Sequence, residues 1–362
     1  MTEIKRIALI GPLPPPAGGM ANLTLKLTEL ITQQGITVDL IQQNSPYRPS
    51  FIEKFKGIRA IVRLVPYFFS LFQKTKHADV VHIMANSGWS WHFFALPAIV
   101  ISKMHGKPVV VNYHGGDAQR FFNNAWPWVA KSLQKVQYII VPSCFLQKVF
   151  NGYGQQTTII PNVLDSTIFR QSSREFEQGR LHFIVTRNLE KIYGVDVAID
   201  AFRNIVNKYP TAKLSIAGTG TELNLLKQQV SDLMLSDNII FTGCLPPNDM
   251  ASLYNSADIM INASTIDNAP SSILEALACG IPVISTNVGG IPDMVKHEYD
   301  ALLVEKNNVS AISEQAFRLI NDHTLRHQLV SNGLKTIQRY QWPTVWRQLL
   351  FCYQQAQQKV GK

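Results

Sequence analysis

The sequence predicts an α/β protein built from two successive doubly wound, Rossmann-like domains. Three observations carry that reading. Short apolar, β-branched runs alternate with longer segments of helical period, and the alternation starts afresh past the middle of the chain. The length of 362 residues suits about two domains.

In the first half the apolar runs lie at 4–10, 37–41, 80–83, 109–112 and 138–141. Each is apolar throughout instead of alternating, as expected of a parallel strand covered on both faces. The second half repeats the pattern at 181–186, 213–217, 239–242, 259–262 and 282–285. Between the series, PNVLDSTIFRQSSREFEQGR (161–180) is polar and aperiodic. Domains are therefore expected at 1–166 and 167–341. The tail, 342–362, is rich in aromatics and leucine and is expected to form a helix packing back toward the first domain. Doubly wound sheets bind ligands beyond the carboxyl ends of their strands, so the two domains are expected to face each other across one shared cleft.

Composition narrows the class. Cys144, Cys244, Cys279 and Cys352 show no paired short spacing, which argues against a zinc site or a disulfide framework and fits a reducing cytosol. The first apolar run is too short for a signal peptide. The longest apolar stretch, 89–102, contains His92 and Pro97 and falls short of the ~18–20 residues of a spanning helix. The formal charge of +9 sits entirely in residues 1–166, whereas 167–362 balance to zero. One half should therefore face an anionic partner.

Segment 48–76 holds much of that surplus. Phe51, Phe55, Ile58, Val62 and Val65 recur at helical spacing and are expected to be domain core. Lys56, Arg59 and Arg63 form a stripe on another face, beside Tyr67, Phe68 and Phe69. Such a face suits an interfacial helix on anionic lipid. No nucleic-acid recognition motif accompanies the charge, so no nucleic-acid partner is expected.

The strongest local signal is STIDNAPSSILEALACGIPVIST, residues 264–286. A strand should end near Ala263, and a helix should open at Pro270 and stop at Gly280. The unpaired amides near Ser271 and Ser272, with the positive helix end, make an anion site. Asp267 lies in the loop and Glu275 eight positions later in the helix, where a carboxylate can accept two hydrogen bonds from a vicinal diol such as ribose. A plain strand–helix unit with a solvated acid would show the same spacing.

This segment, with LEALACGIPV at 274–283, resembles the signature of the retaining glycosyltransferases of family four, which have the GT-B fold. SIAGTGTELNLL (215–226), LYNSADIMINAS (253–264) and IIPNVLD (159–165) resemble further segments of that family in the same order. The resemblance implies that Glu275 holds the donor ribose, and that Asp267, Ser271 and Ser272 hold the donor sugar and phosphate. Asp267 stands where the family usually has glutamate.

VTRNLEKIYGVDVAIDAF (185–202) resembles the family's phosphate-binding segment, which implies diphosphate contacts for Arg187 and Lys191. Lys191 is one position short of the usual lysine. Gly18 and Gly19, after the first strand, match the family's glycine pair over the donor phosphates and let a backbone approach a ligand closely. His114, in VNYHGGD at the end of the fourth strand, matches the histidine implied to contact the transferred sugar.

Together these imply sugar transfer from a nucleoside diphosphate sugar to an acceptor hydroxyl, with no cofactor and no metal. The implied setting is synthesis of a cell-surface polysaccharide or lipid-linked glycan, in the cytoplasm and peripherally on the inner face of the cytoplasmic membrane. A nucleotide-sugar epimerase of the same architecture, or a donor-binding protein without transferase activity, fits the same residues.

Overall fold

The computed structural model describes residues 3–15, 18–46, 58–172, 176 and 178–360, with only the backbone described at 58–61 and 178. The chain divides into two compact units, one of Met1–Val163 with Trp342–Lys362, the other of Leu164–Gln341.

The first unit holds strands β1 (Arg6–Gly11), β2 (Thr37–Gln42), β3 (Val80–Ala85), β4 (Val109–Tyr113), β5 (Tyr138–Val141) and β6 (Thr158–Ile159). They pair in parallel in the order β2-β1-β3-β4-β5-β6. Helices cover both faces, which is why the strands are apolar throughout. On β4, Val109, Val111 and Tyr113 enter one core and Val110 enters the other. The two-residue β6 has no counterpart among the expected strands.

The second unit repeats the plan with β7 (His182–Thr186), β8 (Lys213–Ala217), β9 (Ile239–Gly243), β10 (Ile259–Asn262), β11 (Val283–Thr286) and β12 (Leu302–Val304). Their order is β12-β11-β10-β7-β8-β9, again parallel. The three-residue β12 is the second strand that apolar runs did not foretell.

The last helix, Trp342–Val360, belongs to the first unit. Val345, Leu349, Cys352, Tyr353 and Ala356 recur at intervals of three and four and pack with Ile7, Leu9, Val80 and Val110 of the sheet. The Tyr353 hydroxyl lies 2.6 Å from His82 Nδ1 in this core.

Helix Ile58–Thr75 corrects two expectations, since Tyr67, expected beside the basic stripe on the lipid-facing side, is buried in the core. The helix buries Tyr67, Leu71 and Thr75, whereas Val65, expected in the core, is 61% exposed. Phe51, Phe55 and Lys56 lie outside the described residues, as do the side chains of Ile58 and Arg59; Val62 and Arg63 are half-buried.

Replacing Tyr353 by phenylalanine leaves His82 Nδ1 unpaired inside the core. A loss of about 1–3 kcal/mol is expected, measurable by urea denaturation. A loss of a few tenths would show that the hydroxyl does not anchor the helix.

Candidate active site

In the second unit the candidate residues gather where the parallel strands end. Arg187 is the first residue after β7. Asp267 sits in the loop after β10, and that loop leads into helix Ser271–Ala278. Pro270 caps this helix and Gly280 follows its end with φ +73°.

Two glycines clamp the polar loops. Gly218, after β8, has φ +153°, and a Cβ there would lie 2.0 Å from the Arg187 carbonyl oxygen. Gly289, after β11, has φ +57°, and a Cβ there would lie 1.8 Å from the Asp267 carbonyl oxygen. Neither contact tolerates any side chain.

The Arg187 guanidinium forms an ion pair with Asp267, the two side chains being 12% and 11% exposed. It also donates to Ser272 Oγ at 3.5 Å and lies over the Tyr193 ring, 4.2 Å from its centre. Asp267 accepts further bonds from the Asn268 amide at 2.9 Å and from Ser264 Oγ at 3.4 Å. Burial raises the Asp267 carboxyl above its ordinary value, and Arg187 is the largest influence opposing it.

Glu275 is held from the other side. The Tyr254 hydroxyl donates to its Oε2 at 3.0 Å, and Ser271 supplies a second side-chain bond. Tyr254 is fully buried, and its oxygen lies 2.7 Å from Thr186 Oγ1 at the end of β7. With Thr186 donating, the hydroxyls form a polarised chain ending on the carboxylate. Burial raises the Glu275 carboxyl, against the pull of these two bonds. The amides of the helix's first turn have no partner within the helix, and Ser271 and Ser272 occupy that turn.

Lys191 stands apart from this group. Its side chain is 75% exposed and its ammonium pairs with Asp196 at 2.5 Å. A pocket of about 210 Å³ in the same unit lies near the opposite ends of the strands, beside Asp258 and Pro282, and holds neither Arg187 nor Asp267.

The remaining candidates are in the first unit. Gly19 opens helix Gly19–Gln33 after β1, with Gly18 as its cap in extended backbone. A side chain built at either would meet nothing within 4 Å among the described residues, which leave the space beside this backbone open. His114 follows β4, its amide bonded to the Ala85 carbonyl at 2.9 Å. Its Nε2 is buried with no partner among the described residues, and burial pushes the imidazole down to about 4. It is neutral at neutral pH. His82 nearby is pushed down to about 3, by burial first and then by His114.

Motif reading singled out Arg187, Asp267, Ser272 and Glu275, and the fold brings them together. It passed over Thr186 and Tyr193, which lie within VTRNLEKIYGVDVAIDAF, and Tyr254 and Ser264, which lie within LYNSADIMINAS.

Residues 165–336 match the family described as glycosyl transferases group 1, and residues 17–167 match Glycosyltransferase Family 4. The N-acetyl-alpha-D-glucosaminyl L-malate synthase of Bacillus anthracis is 24% identical over 89% of this chain and 90% of its own. The alpha-monoglucosyldiacylglycerol synthase of Streptococcus pneumoniae is 32% identical over 54% of this chain, which spans about half (49%) of that relative's length. Among solved structures, HepE of Anabaena, crystallised with UDP, superposes with a TM-score of 0.75 at 18% identity, over 96% of this chain and 98% of that one. Two parallel six-stranded α/β units of this kind define the GT-B fold, and the protein is a glycosyltransferase. The chain belongs to glycosyltransferase family four.

The Tyr254 bond gives a pH-dependent expectation. The folded Glu275 carboxyl titrates above its unfolded value, so its ionisation opposes folding. The stability gained by keeping the neutral carboxyl in the fold is fully present below the ordinary glutamate range and is lost as pH rises through the raised folded value. Tyr254→Phe removes the hydroxyl that eases this ionisation. It is expected to cost roughly 1.5–3 kcal/mol at neutral pH, shrinking once the carboxyl is protonated. Urea denaturation across pH measures this; a cost independent of pH would place Tyr254's role in packing alone.

Proposed function

We propose that this glycosyltransferase moves a sugar from a nucleoside diphosphate sugar to an acceptor hydroxyl with retention of anomeric configuration. One observation carries the reading: Arg187, the opening turn of helix Ser271–Ala278 and the braced Glu275 carboxylate meet at the carboxyl edge of one parallel sheet. The guanidinium and the helix amides suit a diphosphate, and the carboxylate suits the two hydroxyls of a ribose.

In this reading the bond between the anomeric carbon and the diphosphate oxygen breaks as the acceptor oxygen bonds to that carbon on the same face. The acceptor's proton passes to the departing phosphate. Arg187 and the helix start stabilise the charge developing on the leaving group, so no resident metal is required. Asp267 and the neutral His114 orient the sugar, and the open backbone at Gly18 and Gly19 admits the phosphates. Lys191 reaches the donor only by leaving Asp196. The relatives' names, a glucosaminyl malate synthase and a monoglucosyldiacylglycerol synthase, support small or lipid-borne acceptors; the setting we propose is a cytoplasmic enzyme working at the membrane on surface glycans.

Calorimetric titration with a panel of nucleotide sugars tests the donor site. Arg187→Ala and Glu275→Ala are each expected to weaken binding by roughly 1.5–3 kcal/mol, the loss of one charged hydrogen bond. Wild-type affinity in both variants would overturn the assignment. Following the product's anomeric configuration by NMR in the presence of EDTA tests retention and metal independence together. Donor isomerisation without transfer would instead identify an epimerase, and binding without turnover a non-catalytic protein.

A further inference from the structure

We infer that the first unit carries a docking face for an anionic lipid bilayer, formed by the outer side of helix Ile58–Thr75, the adjoining turn Trp91–Ala95 with Trp89 before it, and the basic end of helix Leu96–Met104. Three observations place it there.

First, helix Ile58–Thr75 is apolar on the side it exposes as well as on the side it buries. Val65, Phe68, Phe69 and Phe72 follow one another at i, i+3, i+4 and i+7, a single helical stripe, with exposures from 40% at Phe68 to 64% at Phe69. Scattered exposed apolar residues are ordinary, whereas a helical stripe of phenylalanines marks a surface that is covered in use.

Second, the stripe continues on the neighbouring elements. The Tyr67 hydroxyl donates to the Phe94 carbonyl at 2.7 Å and their rings meet at 5.2 Å, while the Phe72 ring lies 4.8 Å from that of His105. Beyond these contacts Trp89, 74% exposed, stacks on the exposed Phe93 at 5.4 Å and 17°. Met104, also exposed, stands beside His105. Tryptophan and phenylalanine at the edge of an apolar face suit the headgroup zone of a bilayer.

Third, the charge complements phosphate. The ammonium groups of Lys76 and Lys107 both bear on His105, and no carboxylate of the described residues is among the groups acting on it. Residues 1–166, which hold this face, carry the whole formal surplus of +9. A second copy docking face to face would set these lysines against themselves, at a like-charge cost, whereas an anionic bilayer neutralises them. Apolar insertion and a basic patch together supply the two signals that stable peripheral binding needs. The face takes in Val65 to Lys76 of the basic segment 48–76 and extends beyond that segment to Trp89, Phe93, Lys103 and Lys107.

This surface deepens the acceptor side of the proposed function and rests on that reading for what it would bring to the enzyme. The full chain is mixed with phosphatidylcholine vesicles with and without phosphatidylglycerol, and binding is read by sedimentation and by tryptophan fluorescence. Binding is expected only to the anionic vesicles, with a blue shift that is reduced in Trp89→Phe. The double variant Phe69→Ser, Phe72→Ser should bind at least about tenfold more weakly. Lys76→Gln with Lys107→Gln should weaken binding at low salt, with little further effect at high salt, where charge is screened. All three changes are at the surface, and a thermal shift with nucleoside diphosphates reports the donor site separately, so loss of donor binding is not mistaken for loss of docking. Unchanged vesicle binding in both double variants, a wild type that ignores anionic vesicles, or self-association abolished by Phe69→Ser, Phe72→Ser would each overturn the proposal.

Discussion

The site in the second unit depends on backbone crowding. Two loops leave the sheet carrying Arg187 and Asp267, and each is touched through its own carbonyl oxygen by a glycine from a neighbouring loop. Gly218 closes on Arg187 and Gly289 on Asp267, and the Gly290 amide adds a 2.9 Å bond to the same Asp267 oxygen. With both carbonyls fixed from behind, the two side chains meet without either loop having to be ordered by a ligand. Preorganisation of this kind lowers the entropic cost of binding a charged substrate.

The electrostatics follow from that placement. A nearly buried guanidinium and carboxylate each lose hydration that must be replaced within the fold. Tyr193, Ser272, Ser264 and the Asn268 amide supply the replacement around the pair, and Tyr254, Thr186 and Ser271 do the same around Glu275. Both carboxyls are nonetheless raised by burial, so their charge is held at a cost. A ligand bearing negative phosphates and ribose hydroxyls offers the cation and the carboxylate partners of the kind that water would otherwise provide. The site is stable but under-solvated, which is the condition for strong differential binding.

What could be read in the sequence follows from which signals are local. Strand–helix alternation, the helix opening at Pro270 and its end at Gly280 are written in neighbouring residues, and the fold reproduces them. β6 and β12, of two and three residues, are too short for an apolar run to declare them. Tyr254 bonds to a residue 21 positions away, and Gly218 and Gly289 act on loops from other strands, so only the assembled sheet discloses these roles. Helix Ile58–Thr75 misled for a different reason. A helix with two apolar faces has no unique inward one, and periodicity alone chose Val65 for the core when the sheet took Tyr67 and Leu71.

The Arg187–Asp267 pair also bears on the one residue that departs from the family's usual glutamate. An aspartate carboxylate stays one methylene closer to its own backbone, and that backbone is pinned by Gly289 and Gly290. From there it reaches the guanidinium and the Ser264 hydroxyl with the same oxygen, Oδ2, while Oδ1 takes the Asn268 amide. Both oxygens are thus occupied by the protein. A longer acid would project further past the arginine, whereas Asp267 is drawn back onto it. Its first duty in this fold is to hold Arg187 in place, so the orientation of Arg187 is a property of the loop after β10 as much as of β7.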